Sequence, residues 1–480
     1  MKDVDVNISV MKGDKLFNEN TPFVINLFVP ESKNLKIRWN ADLVCVIDIS
    51  GSMAGDKIDL VKKSLKALVG IMEKTDRICI ILFNDSAKNY FNLNYLTDNI
   101  KNKLNKIIDN IKAEGGTNIM SGLEIAVDVL INDKDKEKPN RASSIIFLSD
   151  GCDNKFNDIE LAKKLRDLTK NKDLNFTLNT FGYGSDHDPR TMKRLSNIRD
   201  GTFFYVDNYE KVAEYFGIVL GSCASVIANK ASLVVELLNK NCQIKKIFGK
   251  EYLYDYDKEL NYFTTSMLQF IYGKEFTYVL EFDLKINEVK EGEDLILIDF
   301  IYQDYDKNFH KKRVTYKYAL NDKNKSKANK EYVRSQVYEV IGKYQDLKRN
   351  SQKQKAKTVL NEMKNWLVNN TQIYHDSKSE NLFLNDINLA LMHSNNNNTY
   401  SYSSTKEETN IESRITCRVM SNMKKTSSDP SDIYTNKCQD YYSSSSRTFF
   451  QKHTEKNPKN MEKLIDNIFK EQNKKNCAIF

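Results

Sequence analysis

Three short stretches concentrate small oxygen-bearing side chains. DISGSM places Asp48, Ser50 and Ser52 at alternate positions, GGTN supplies Thr117 after two glycines that allow a tight turn, and FLSDG ends in Asp150. Each fragment has an ordinary structural reading. Ser50 and Ser52 could cap a helix starting near Asp56, and Asp150 could be a turn residue before Gly151. Together they make two carboxylates and three hydroxyls, all hard oxygen donors, with no His or Cys among them. That donor set suits Mg²⁺, with Mn²⁺ or Ca²⁺ as alternatives, and disfavours zinc. Mg²⁺ takes six oxygens at roughly 2.1 Å and keeps some of its water. Five side chains, some acting through water, therefore leave a position for a carboxylate from a protein partner. A nucleophilic role for Ser50 or Ser52 finds no GxSxG elbow, and no histidine is expected near a strand end on that side. Asp186, His187 and Asp188 in SDHDP read as a turn, and the chain has no P-loop or GxGxxG. The expected site binds and does not catalyse.

These residues can meet only if the right elements carry them. DLVCVID (42–48), RICIILF (77–83) and SSIIFLS (143–149) are short continuous apolar runs, as buried parallel strands are. Between them Ile58, Val61, Leu65, Leu68 and Met72 share one helix face, and Ile100, Leu104, Ile107, Ile108 and Ile111 share another. A third helix spans 119–131, a fourth 158–170, a strand 175–184, a short helix 191–198, a strand 202–206 and a last helix 208–228. This alternation predicts an α/β fold with a doubly wound, mostly parallel sheet over 41–228. Ligands of such sheets bind outside the carboxyl ends of the strands, where Asp48 and Asp150 fall. The strand-like segments within 229–325 lack long helices between them and predict a β-sandwich, which two N-terminal strands within 1–40 are expected to join. Residues 326–393 read as a helical module. The Ser- and Asn-rich stretch 394–457 reads as a disordered linker, and 458–480 as a basic helix and tail.

DISGSM, GGTN and SDG, in this order and on these elements, resemble the von Willebrand factor A domain. The resemblance covers roughly 41–225 and implies a metal-ion-dependent adhesion site in which Asp48, Ser50, Ser52, Thr117 and Asp150 match the motif residue by residue. A longer similarity, through FGYGSDHDPRTM and the β-rich segment, is to a eukaryotic group that pairs this domain with a β-sandwich and a helical linker module. Some plant members of that group carry a RING and act as ubiquitin ligases. This chain has no Cys/His set from which to build a RING, so ligase activity is not carried over.

Composition narrows the setting. A net charge of +8 over 480 residues is too dilute to predict nucleic-acid binding. The eight cysteines include no CxxC, and Cys45 and Cys79 lie in apolar runs, which suits a reducing compartment. No signal peptide or membrane span is expected. The last four residues, CAIF, fit the prenylation pattern at Cys477, and a terminal Phe favours a geranylgeranyl group. From Arg447 onward eight basic residues face four acidic ones, a modest pull toward an anionic leaflet and a second signal beside a single lipid. The expectation is a Mg²⁺-dependent protein-binding module, cytoplasmic and peripheral on the cytosolic face of a membrane. The alternative is a regulatory or adaptor subunit of a ubiquitin-ligase or trafficking assembly.

Overall fold

The chain begins with two antiparallel strands, β1 (Asn7–Lys12) and β2 (Thr21–Phe28), and then enters an α/β unit. The computed structural model describes residues 6–395 apart from 30–37, 134–140, 151–152, 154, 171–173, 184–186, 207–208, 250–253, 258, 260, 285–288, 305–307 and 375–376. The linker and tail expected beyond residue 395, Cys477 among them, lie outside the described residues. The described residues divide into two compact units, one made mainly of residues within 30–229, the other of the N-terminal strands and most of the described residues from Lys230 on.

The α/β unit runs β3 (Asn40–Asp48), α1 (Asp56–Ile71), β4 (Arg77–Phe83), β5 (Ala87–Tyr95), α2 (Asp98–Asp109), α3 (Ile119–Ile131), β6 (Arg141–Ser149), α4 (Asp158–Thr169), β7 (Phe176–Tyr183), α5 (Pro189–Ile198), β8 (Phe203–Val206) and α6 (Tyr209–Ala224). The sheet order is β5-β4-β3-β6-β7-β8, parallel throughout except for β5, which runs against β4. Strand order turns outward in both directions from β3, so right-handed crossovers place helices on both faces. β3 and β4 are buried along almost their whole length, which explains their unbroken apolar sequence.

Within the α/β unit and at its exit, two segments differ from the sequence reading. β5, AKNYFNLNY, alternates exposed and covered positions because it is an edge strand, and such a pattern lacks an apolar run. The last helix ends at Ala224, and the chain is already strand from Val226. At the amino ends of β3, β4 and β6 a buried ion network closes the sheet. Asp42 accepts from Arg77 (2.8 and 2.7 Å) and also from Arg141, while Arg77 reaches Asp133 at 2.6 Å.

In the second unit β1 and β2 join a four-stranded antiparallel sheet, β1-β2-β13-β10, with β10 (Gln243–Ile247) and β13 (Glu275–Asp283). A five-stranded antiparallel sheet has the order β11-β12-β9-β14-β15: β9 (Val226–Leu237), β11 (Tyr254–Asp257), β12 (Tyr262–Ile271), β14 (Asp294–Gln303) and β15 (Phe309–Lys317). Rings meet between the sheets, Phe23 against Tyr316 and Phe263 against Tyr278. Helices α7 (Lys325–Arg349), α8 (Lys353–Asn369) and α9 (Ser377–Asn395) bury a shared core that includes Val337, Ile341, Leu360, Leu367 and Ile387. Among the described residues no helix is long and apolar enough to cross a membrane.

Candidate metal centre

The pairing of β3 with β6 sets the site. Ile47 lies opposite Leu148, so Asp48 and Ser149 end their strands side by side, and Asp150 follows directly. Asp48 is the anchor and is wholly buried. Its Oδ1 accepts the Ser50 backbone N–H at 2.8 Å, and its Oδ2 accepts the Ser149 hydroxyl at 2.5 Å. Each oxygen keeps a second lone pair. Burial pushes the Asp48 carboxyl up to about 6 against the hydrogen bonds from Ser149 and Ser50, and the nearby Asp150 adds to the rise.

The alternative reading of the serines as helix caps does not hold. The N-cap of α1 is Gly55, with no side-chain cap. Ser50 precedes only a short 3-10 turn, Gly51–Met53, and makes no side-chain cap there either. Instead the two hydroxyls face each other, Oγ to Oγ, at 3.1 Å.

Thr117 is brought in by a loop pinned at three places. Glu114 N–H donates to the Ile49 carbonyl at 2.7 Å, Gly51 N–H to the Gly115 carbonyl at 2.9 Å, and Asn118 N–H to the Asn84 carbonyl at 2.8 Å. The Asp85 carboxylate accepts from Gly116 N–H at 2.8 Å. Gly115 has φ +82°, and a Cβ there would lie 2.7 Å from Asp85 Oδ2, so this turn requires glycine on two counts. Gly122 lets α3 approach the sheet, since a Cβ would come within 2.8 Å of Val46.

The structure thus gathers all five residues at the carboxyl end of the sheet. Four of them are buried (Asp48, Ser50, Thr117 and Asp150), while Ser52 is exposed. Asp150 Oδ1 is buried without a hydrogen-bond partner among the described residues, and Oδ2 lies 3.4 Å from the Lys57 ammonium. An unpartnered carboxylate oxygen, uncapped serine hydroxyls and a buried carboxylate are what a hard divalent cation would satisfy. The residues fit the ion.

Sequence reasoning missed four contributors: Ser149, Asn84, Asp85 and Lys57. The first three follow the same rule as Asp48 and Asp150, because they sit at or just beyond the carboxyl ends of β6 and β4, and FLSDG and FND already carry them. Contrary to expectation, a histidine does lie at this end of the sheet. His187 is buried, stacks on Tyr205 at 5.0 Å and packs against Gly182 near the end of β7. The next residue, Asp188, caps α5 and donates its backbone N–H to the Asp150 carbonyl at 2.8 Å, so Asp188 buttresses Asp150.

Comparison with known proteins agrees with the fold of the α/β unit. Residues 42–217 match the von Willebrand factor type A domain family. The inter-alpha-trypsin inhibitor heavy chain H2 of Sus scrofa is 32% identical over 201 residues, 41% of this chain and 21% of that one. The E3 ubiquitin-protein ligase WAVH1 of Arabidopsis thaliana is 27% identical over 133 residues, 25% of this chain and 19% of that one. The chain spans less than half the length of the curated relatives it matches, between 46% and 21% for three of them. The solved von Willebrand factor type A protein from Catenulispora acidiphila superposes with a TM-score of 0.63 at 12% identity, covering 86% of this chain and 96% of that one. Residues 42–217 of this chain therefore match the von Willebrand factor type A domain and carry its α/β fold.

Proposed function

We propose that the α/β unit is a Mg²⁺-dependent protein-binding module without catalytic activity, held at the cytosolic face of a membrane by a prenyl group on Cys477. The observation that carries the first half is the orphaned Oδ1 of buried Asp150 beside two serine hydroxyls that cap nothing. Asp48, Ser50, Ser52, Thr117 and Asp150 would hold the ion, some through water. When bound, the ion would supply a positive pole for a partner's carboxylate. The chain's own part is to fix the oxygens in advance. Ser149 and the Ser50 backbone orient Asp48, the Asn84–Asp85 corner holds the Thr117 loop, and Asp188 steadies Asp150.

Partner capture from a lysate by the wild-type chain and by Asp48→Ala, each with Mg²⁺ and with EDTA, tests this reading. The reading expects capture only by wild type with Mg²⁺. Capture indifferent to both EDTA and the substitution would sink it. The second half rests on CAIF and the basic excess before it, and a Cys477→Ser chain that stays fully membrane-bound would contradict it.

Similarity to the plant ligase favours one further reading, an adaptor in a ubiquitin-ligase assembly. Ligase subunits recovered equally by wild type and Asp48→Ala in EDTA would support that adaptor role over the metal-dependent one.

A further inference from the structure

We propose that Lys57 is a tethered counter-cation of this site: without metal its ammonium stands beside Asp150 where positive charge is needed, and it sets by competition how tightly a divalent ion binds. The inference rests on the reading of the five oxygen residues as a cation site.

Lys57 is the second residue of α1. That is the end of a helix where the macrodipole disfavours a positive side chain. Asp56 and Asp59, in the same turn, are the residue type that position prefers. The placement of a lysine there has a compensating partner across the site. Its Nζ lies 3.4 Å from Asp150 Oδ2, with the lysine side chain 19% and the aspartate 2% exposed. The pair spans 93 residues, so the fold and not local sequence makes it.

The ammonium satisfies the carboxylate incompletely. It approaches Oδ2, while Oδ1 stays buried and without a hydrogen-bond partner among the described residues. A single charge on a flexible stem is a partial substitute for a compact divalent ion. At 3.4 Å the ammonium repels any other cation that seeks the same carboxylate. Removing the ammonium should therefore tighten divalent-ion binding, while the metal-free chain loses the neutralisation of a buried charge.

The test titrates Mg²⁺ calorimetrically into the full chain, stripped with chelator, for wild type, Lys57→Met, Lys57→Arg and Asp48→Asn, with melting curves in EDTA alongside. Lys57→Met keeps the apolar stem and should bind Mg²⁺ about tenfold tighter than wild type. It should also melt at a lower temperature in EDTA. Lys57→Arg, which keeps the charge, should stay near wild type. Lys57→Met binding Mg²⁺ at wild-type or weaker affinity would overturn the inference, because an ammonium that assists or ignores the ion does not compete with it. Asp48→Asn separates the two claims. If it abolishes Mg²⁺ binding while Lys57→Met matches wild type, the site stands and the competition falls. If wild type binds no Mg²⁺ that Asp48→Asn fails to bind, the site reading fails and takes the role of Lys57 with it.

Discussion

Asp48→Asn should make the metal-free protein more stable at pH 7.5 while destroying its response to Mg²⁺. Asp48 is wholly buried, and burial, with help from Asp150, raises its carboxyl from 3.8 to about 6. A folded value above the unfolded one means the metal-free fold prefers the protonated acid. Its stability falls as pH rises from about 4 to about 6 and stays depressed above that. At neutral pH the ionised side chain destabilises the fold by on the order of 3 kcal/mol. Asparagine keeps the acceptor for the Ser50 N–H and can donate its amide to the Ser149 hydroxyl, so both hydrogen bonds survive. We expect a net gain of roughly 1–3 kcal/mol, or about 3–10 °C for a unit of this size. Differential scanning calorimetry in EDTA reads it. Wild type should gain about 2.7 kcal/mol at Mg²⁺ a hundredfold above its Kd, and Asp48→Asn should gain nothing. The wild-type Mg²⁺ effect should also fade as pH drops below about 6, where a proton competes for Asp48. An asparagine variant that is less stable than wild type in EDTA at pH 7.5, or that retains the Mg²⁺ shift, would refute the reasoning.

Three further outcomes follow from the unit's framework. Gly115→Ala forces a side chain into φ +82° and against Asp85 Oδ2. It should cost about 1–3 kcal/mol in a chemical melt and weaken Mg²⁺ binding by displacing the Thr117 loop. Lys101 donates its ammonium to the Met72 carbonyl, and burial lowers its pKa to about 8 despite Asp98 and Asp76. The folded state then holds fewer protons than the unfolded one between pH 8 and 10.5, so stability should rise with pH across that window; the rise should vanish in Lys101→Met. Asp42→Ala would strip the shared partner from Arg77, which is 3% exposed, and from Arg141. It should destabilise the unit by about 3–5 kcal/mol in urea while leaving the Mg²⁺ response of the surviving fold intact, since the network sits at the opposite end of the strands.

Sequence and structure agree best where burial is total. β3, β4 and β6 announce themselves because both their faces are covered, and Asp48 and Asp150 stood out as candidates because they fall at or just past the ends of those apolar runs. Where only one face is covered the signal thins. β5 and the β11–β12 pair went unread, their polar positions mixed with apolar ones as half-exposed strands require. Helix and strand cannot be parted by apolar content alone across 208–237, so the end of α6 at Ala224 needed the fold. Lys57 was beyond the reach of the sequence for another reason. Its position in the first turn of α1 reads as an ordinary surface lysine until Asp150 arrives from 93 residues away.

The most direct test of the central claim is anomalous diffraction from crystals of the full chain grown with Mn²⁺. The account predicts a peak bounded by Asp48, Ser50, Ser52, Thr117 and Asp150, with side-chain or water oxygens at about 2.1–2.2 Å. Ordered side chains at that place with no anomalous peak at saturating Mn²⁺ would contradict it.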